Sequence, residues 1–255
     1  MSKHFIIGDV HGMAEELEAL LAKLAPTPED AVIFVGDLVD KGPNSVGAVQ
    51  VARRLSQAVP VVVVEGNHED KHRRFRRNLT LRPEVAEGQA SRQPELVEIT
   101  NELEDADVSF LDSAVPFHRI DEHNILIVHA GIPGDMVEFP ATVEEASAMT
   151  GKKKRMLEKT ARVRHVSAET GKFLKLGDAT EADPFWAEVH DGRFGHVVFG
   201  HEPFVNGVAH FTHATGVDTG AVFGGSLTAM VVESDGTRSF VSVPARKMAN
   251  MRGEI

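Results

Sequence analysis

The sequence predicts an α/β protein in which two packed sheets carry helices on their outer faces, and three observations lead there. The opening reads strand, helix, strand, helix, strand; short apolar strands return near residues 125–128 and 197–199; and from residue 208 onward the pattern changes to hairpin-like strands. A βαβαβ opening implies parallel strands joined by right-handed crossovers. Late hairpins imply that strands are shared between two sheets rather than strung along one.

Taken in order, Phe5-Ile6-Ile7 is a first strand, and residues 13–24 form an amphipathic helix with Leu17, Leu20, Leu21 and Leu24 at helical spacing. Pro26 and Pro28 stop it. Strands are expected at 31–35 and 59–65, with a helix near 45–56 between them. Residues 71–115 are helical in character, with a turn-rich break around 88–94. Residues 140–158 read as a polar helical insertion, 163–176 are ambiguous, and Trp186 falls in a short helical piece. Strands follow at 208–211, 226–233 and 239–243, with turns at Gly224-Gly225 and Asp235-Gly236. Residues 248–255 read as a loose tail. The expected organisation is one domain over 1–255 with helical insertions at about 71–112 and 140–164.

Bulk composition narrows the function classes. No run of 18 apolar residues exists to cross a membrane, and the N-terminus gives no signal peptide. The absence of Cys removes disulfides, zinc–thiolate sites and thiol nucleophiles together. A cytoplasmic enzyme is the default expectation. A net charge of −11 argues against a surface built for nucleic acid. Two local basic runs, at 71–77 and 152–155, read either as solvated helix faces or as a rim that draws in a phosphorylated substrate.

The chemistry lies in a pattern repeated five times: a short apolar run opens onto a residue able to hold a metal. These are FIIGDVHG with Asp9 and His11, IFVGDLVDKG with Asp37 and Asp40, VVVVEGNHED with Asn67 and His68, ILIVHAG with His129, and VVFGH with His201. Gly lets the chain turn sharply at such a strand end and approach its neighbours closely. Asp9 and His11 are two residues apart, so a carboxylate and an imidazole can share an ion. The Asp37 carboxylate has two oxygens and can bridge two cations. Asn67 adds an amide oxygen, and His129 and His201 add imidazole nitrogens. Mixed N/O ligation without sulfur suits Mn, Fe, Zn or Ni. His68 is placed to give a proton to a leaving oxygen, and Asp40 to hold that imidazole. Lys41, Arg162 and Arg164 are candidates for phosphate contact.

The ordered set GDVHG, GDLVDKG, GNHED, HAG and GH resembles the phosphoprotein-phosphatase branch of the calcineurin-like metallophosphoesterases, and GVDTGAVFGGSLTAM at 216–230 resembles its bacterial members. Those include diadenosine-tetraphosphatase-like enzymes, bacterial serine/threonine phosphatases and the phosphatase domains of polynucleotide kinase-phosphatases. The resemblance implies a four-layer αββα sandwich with two divalent metal ions, Mn2+ foremost, at the strand ends. One ion would take Asp9, His11 and Asp37, the other Asp37, Asn67, His129 and His201. A metal-bridging hydroxide would attack phosphorus directly while His68, supported by Asp40, protonates the leaving group. Arg162 or Arg164 corresponds to the later phosphate-binding Arg, and Asp218 lines the site. Many relatives have Arg where this chain has Lys41; Lys keeps the charge without the planar two-pronged contact. Ala221 stands where bacterial relatives often carry Cys. The implied substrates are a phosphoprotein, a dinucleoside polyphosphate or a nucleotide. The alternatives are an end phosphatase of RNA repair and a non-catalytic metal-binding scaffold.

Overall fold

A computed structural model describes residues 2–246 of the protein; the expected tail at 248–255 lies outside them. The chain runs β1 (His4–Ile7), α1 (Ala14–Leu24), β2 (Ala31–Phe34), α2 (Ser45–Leu55) and β3 (Val61–Val63), the predicted βαβαβ. Four helices follow: α3 (Asn67–Leu81), α4 (Pro83–Arg92), α5 (Glu95–Glu102) and α6 (Asp105–Asp112). Then come β4 (His118–Ile120), β5 (Ile125–Ile127), α7 (Val143–Ala148), α8 (Gly151–Leu157), α9 (Trp186–Val189) and β6 (His196–Phe199). The chain closes with β7 (Ala209–His210), β8 (Ala214–Gly216), β9 (Ser226–Val232) and β10 (Arg238–Pro244).

Two five-stranded mixed sheets result, ordered β10-β9-β1-β2-β3 and β4-β5-β6-β8-β7. In the first, β1, β2 and β3 are parallel and β9 and β10 return antiparallel. In the second, β5, β6 and β8 are parallel, with β4 and β7 antiparallel at the edges. The period-2 alternation of side chains sorts the strands into layers. Ile6, Ile33, Ile125, Ile127, Val198 and Met230 meet between the sheets. Phe5, Ile7, Val32 and Phe34 face the other way, onto Leu17 and Leu20 of α1 and Ala48 and Ala52 of α2. Leu126, Val128, Val197 and Phe199 face outward beneath Leu157, Trp186 and Ala187. The order helix, sheet, sheet, helix is the αββα sandwich.

The expected break at 88–94 is corrected: α4 runs through Gly88, and only Gln93 and Pro94 separate it from α5. Gly88 sits where a Cβ would meet nothing closer than the Arg92 guanidinium at 3.7 Å, so an exposed helix absorbs its weak propensity. Residues 163–176 form neither helix nor strand, only isolated bridges such as Val166 to Phe173. The strands β4 and β8, three residues each, fall where the sequence gives no alternation to read. What matters for chemistry is direction. The parallel strands β1, β2, β3, β5, β6 and β8 are each followed by a polar residue: Asp9, Asp37, Asn67, His129, His201 and Asp218.

Candidate metal centre

The loops after β1 and β2 are tied to each other before any side chain is considered. The Asp37 carbonyl accepts the N–H groups of His11 (2.8 Å) and Val10 (3.2 Å), and Gly12 N–H reaches the Leu38 carbonyl at 2.8 Å. Gly200 N–H donates to the His129 carbonyl at 2.7 Å, joining the ends of β5 and β6. Such tight crossings force unusual backbone. Among the described residues seven non-glycines have positive φ, and five of them are His11, Asp37, Asp40, Lys41 and His201. Left-handed backbone at non-glycine residues costs about 1–3 kcal/mol each and persists where surrounding structure enforces it. Close approach does the rest: a Cβ on Gly200 would sit 2.0 Å from Asp9 Oδ1, and one on Gly36 2.8 Å from His129 Nδ1.

Asp37 is the hub. Its Oδ1 accepts the His68 N–H at 3.0 Å, at the start of α3, where a helix favours an anion. Its Oδ2 then faces three imidazoles, with Nε2 of His129 at 3.3 Å, of His11 at 3.5 Å and of His68 at 3.8 Å. Asp9 Oδ2 lies 3.8 Å from His11 Nε2, and both Asp9 oxygens accept the His201 N–H, at 3.2 and 3.0 Å. Asn67 Oδ1 is 3.1 Å from His129 Nε2, and the His129 and His201 rings meet edge to face at 5.1 Å. Two triads therefore sit close enough to hold an ion: His11, Asp37 and His68, and Asp37, His129 and His201. Asp37 belongs to both.

The donor set fits divalent cations on the structure's own terms. His11 Nδ1 lies 3.0 Å from the Val39 carbonyl, and His129 Nδ1 lies 2.9 Å from the Val35 carbonyl. A carbonyl only accepts, so each Nδ1 carries hydrogen, and in the neutral ring the Nε2 lone pair turns toward the Asp37 carboxylate. Acceptor then faces acceptor in a buried place, a clash that a proton or a bound cation relieves. Positive charge already gathers there. Lys41 Nζ stands 3.1 Å from His11 Nε2. Burial would lower the His129 pKa, but the charge of Asp37 outweighs it and pushes it up to about 9. Burial pushes His11 down to about 3 and holds His201 well below the usual range, with the charge of His129 adding to it; both rings are kept neutral, the form that can hold a metal. Burial, then repulsion from Asp218, raises Asp9 well above the usual carboxylate range. Asp37 stays ionised against burial because of His129 and His68. A buried group of acids this crowded is short of positive charge, which divalent ions supply.

The expected contact between His68 and Asp40 is formed as well. His68 Nδ1 is 2.5 Å from Asp40 Oδ2, and Asp40 N–H is pinned by Ser45 Oγ at 2.8 Å. Burial would raise the Asp40 carboxyl, but hydrogen bonds from His68 and His72 hold it well below the carboxylate range. A cleft of about 660 Å3 opens over the centre, lined by Asp37, Asn67, His68 and His201 on one side and by Arg162, Arg164, Phe173 and Leu176 on the other. Arg164 Nη2 reaches the His201 carbonyl at 3.2 Å, and its Nε lies 3.1 Å from Glu202 Oε2. Arg162 is drawn to Asp70 at 2.5 Å. A second cleft, of about 510 Å3, adjoins on the Asp40, His68 and Lys71 side.

Two expectations change. Asp218 lies beside Asp9 but is buried, bonds Gly220 N–H at 2.9 Å and does not line either cleft; burial pushes its carboxyl up to about 6. It is a buried acid outside both clefts. The basic run at 71–77 is not a free cationic rim either: Lys71 pairs with Asp40, Arg73 with Glu65 and Asp70, Arg74 with Asp70, and Arg76 with Asp112. Sequence reasoning also gave no role to Glu69, His72 or His165. Glu69, inside GNHED, is buried, and its carboxylate accepts the N–H groups of Asp37 and Leu38 (2.7 Å each) and Gly66 (3.0 Å). His165 lines the larger cleft.

The profile of the family described as calcineurin-like phosphoesterase matches residues 3–205. Over 253 residues the chain is 28% identical to the bis(5′-nucleosyl)-tetraphosphatase PrpE (asymmetrical) of Oceanobacillus iheyensis, spanning 95% of this chain and 92% of that protein. The protein of the same name from Halalkalibacterium halodurans is 29% identical over 258 residues, 95% of this chain and 94% of its own. A crystal structure assigned as a diadenosine tetraphosphatase aligns with a TM-score of 0.69 at 24% identity, over 96% of this chain and 94% of that one. A Saccharomyces cerevisiae protein serine/threonine phosphatase with similarity to human PP5 aligns at 0.63 and 15% identity, over 98% and 82%. The two structures share the fold.

Proposed function

We propose that this chain, a hydrolase of the calcineurin-like phosphoesterase family, cleaves a phosphoanhydride of a dinucleoside polyphosphate. The observation that carries this reading is the larger cleft, which joins cations to apolar surface directly over the ligand cluster. Lys41, Arg162, Arg164 and Lys175 suit a chain of phosphates, while Phe173, Leu174 and Leu176 offer a nucleobase a place to pack. Leu176 is 86% exposed, an apolar side chain left uncovered at the cleft mouth. The names of the relatives, matched along nearly their full lengths, point the same way.

Two divalent ions, Mn2+ foremost, would be held by Asp9, His11 and Asp37 and by Asp37, Asn67, His129 and His201. Bound there, they lower the pKa of water and neutralise oxygen charge on phosphorus. The chain's own side chains do the remaining work. Arg164, whose guanidinium is anchored to the His201 carbonyl, orients the phosphoryl oxygens from the far wall, with Arg162 further toward the rim. Lys41 adds charge from the floor. His68 gives its Nε2 proton to the leaving oxygen, and Asp40 steadies the imidazolium before transfer. No helix among the described residues is long and apolar enough to cross a membrane, and we place the protein in the cytoplasm, where a substrate built from nucleotides arises.

The test is a panel with Mn2+: diadenosine tetraphosphate, a phosphoserine peptide and a 3′-phosphorylated oligonucleotide. The expected result is a kcat/KM for diadenosine tetraphosphate at least about tenfold above the others, the minimum for real discrimination. A faster phosphopeptide or oligonucleotide would overturn the substrate assignment.

A further inference from the structure

Helix α3 places a second imidazole beside the His68–Asp40 pair. His72 follows His68 by four residues, about one helical turn, so both rings lie over the same face of the helix. His72 Nε2 is 2.8 Å from Asp40 Oδ1, and because a carboxylate only accepts, that nitrogen carries the hydrogen. The residue is 0% exposed, and its Nδ1 has no hydrogen-bond partner among the described residues. A buried ring nitrogen without a partner costs stability that an apolar side chain would avoid. The position therefore carries a polar group at a cost, and its one bond is to Asp40.

That bond falls on the oxygen the acid pair does not use. Asp40 Oδ2 is shared between His68 Nδ1 and Lys71 Nζ, each at 2.5 Å. An ammonium is a point charge with no planar preference, so it draws Oδ2 along whichever direction the lysine stem allows. The torsion that turns a carboxylate plane is broad and offers little resistance of its own. With Oδ1 free, Oδ2 would follow Lys71 toward the second cleft, which Lys71 lines. With Oδ1 held at 2.8 Å by His72, the plane is fixed and Oδ2 stays on His68.

We infer that His72 is a positioning residue for the leaving-group acid, locking the Asp40 carboxylate in the orientation that aims His68. The inference rests on the reading of His68 as the proton donor. As the bond from phosphorus to the leaving oxygen breaks, the electron pair stays on that oxygen and the His68 Nε2 proton moves to it. His68 is left neutral with Nδ1–H on Asp40. His72 touches neither substrate nor the transferred proton; it acts through Asp40.

A merely structural residue would slow all substrates alike, so the test varies the leaving group. Full-length protein loaded with Mn2+ is assayed on 4-nitrophenyl phosphate, whose leaving group needs little protonation, and on phenyl phosphate, whose leaving group needs more. His72→Leu is expected to lower kcat on phenyl phosphate by about tenfold, a typical effect for a supporting partner, with a much smaller loss on 4-nitrophenyl phosphate and KM within about twofold. His72→Gln, whose amide nitrogen reaches as far as imidazole Nε2, is expected to restore most of that loss. His68→Ala, assayed in parallel, should discriminate between the two substrates more strongly still. Equal losses on both substrates for His72→Leu, with discrimination kept by His68→Ala, would overturn the role of His72 alone. No discrimination by His68→Ala would remove the donor reading, and the inference with it. If the leucine variant does not fold, His72→Gln is compared with His72→Asn, whose amide is one bond shorter; equal leaving-group dependence in those two would overturn the inference.

Discussion

Asp37→Asn is expected to lower turnover by on the order of 10³-fold or more while the protein stays folded, comparable to losing a principal catalytic group. The substitution keeps an Oδ1 for the His68 N–H at 3.0 Å, so the start of α3 remains capped. It removes the anion at Oδ2, on which His129, His11 and His68 converge. Both ion-capable triads contain Asp37, so one neutral amide weakens both together. Metal analysis of the purified variant should show fewer ions retained per chain than wild type, and circular dichroism an unchanged fold. Turnover and metal content near wild type would mean that the carboxylate is not shared.

The second large effect is on stability. Glu69→Ala leaves three buried backbone N–H groups, those of Asp37, Leu38 and Gly66, without their acceptor. Each unsatisfied buried donor costs about 1–3 kcal/mol, so a loss of about 3–5 kcal/mol is expected after partial relaxation. Burial and the nearby charge of Asp37 raise the Glu69 carboxyl, and the charge of His129 and the hydrogen bonds from Asp37 and Leu38 offset only part of that strain. Urea denaturation of the metal-free proteins measures the difference. A change below about 1 kcal/mol, the size of an ordinary exposed substitution, would show that Glu69 does not hold the β2 and β3 loops together.

The contrast between Asp37 and Glu69 shows what a sequence makes legible. Asp9, Asp37, Asn67, His129 and His201 each follow a buried apolar strand, so the short unbroken runs of Ile, Val, Leu and Phe located them before any geometry was known. The left-handed backbone of Asp37 and His201 is also written locally, in Asp, His and neighbouring Gly. Glu69 and His72 lack such a frame. They stand in NHEDKHRR, where charge density reads as a solvated helix face, and only the partners reached across space separate buried Glu69 and His72 from half-exposed Arg74. The same limit hid β4 and β8: three residues such as His118-Arg119-Ile120 become a strand because β5 offers a ladder, not through any alternation of their own. Arg162 and Arg164 could not be told apart in sequence because both flank Val163; their bonds to Asp70 and to the His201 carbonyl divide them.

Anomalous diffraction from a crystal of the Mn2+-loaded protein tests the central claim most directly. The account predicts two manganese peaks with the Asp37 carboxylate between them, one beside Asp9 and His11 and the other beside Asn67, His129 and His201. A single peak, or two that do not share Asp37, would contradict it.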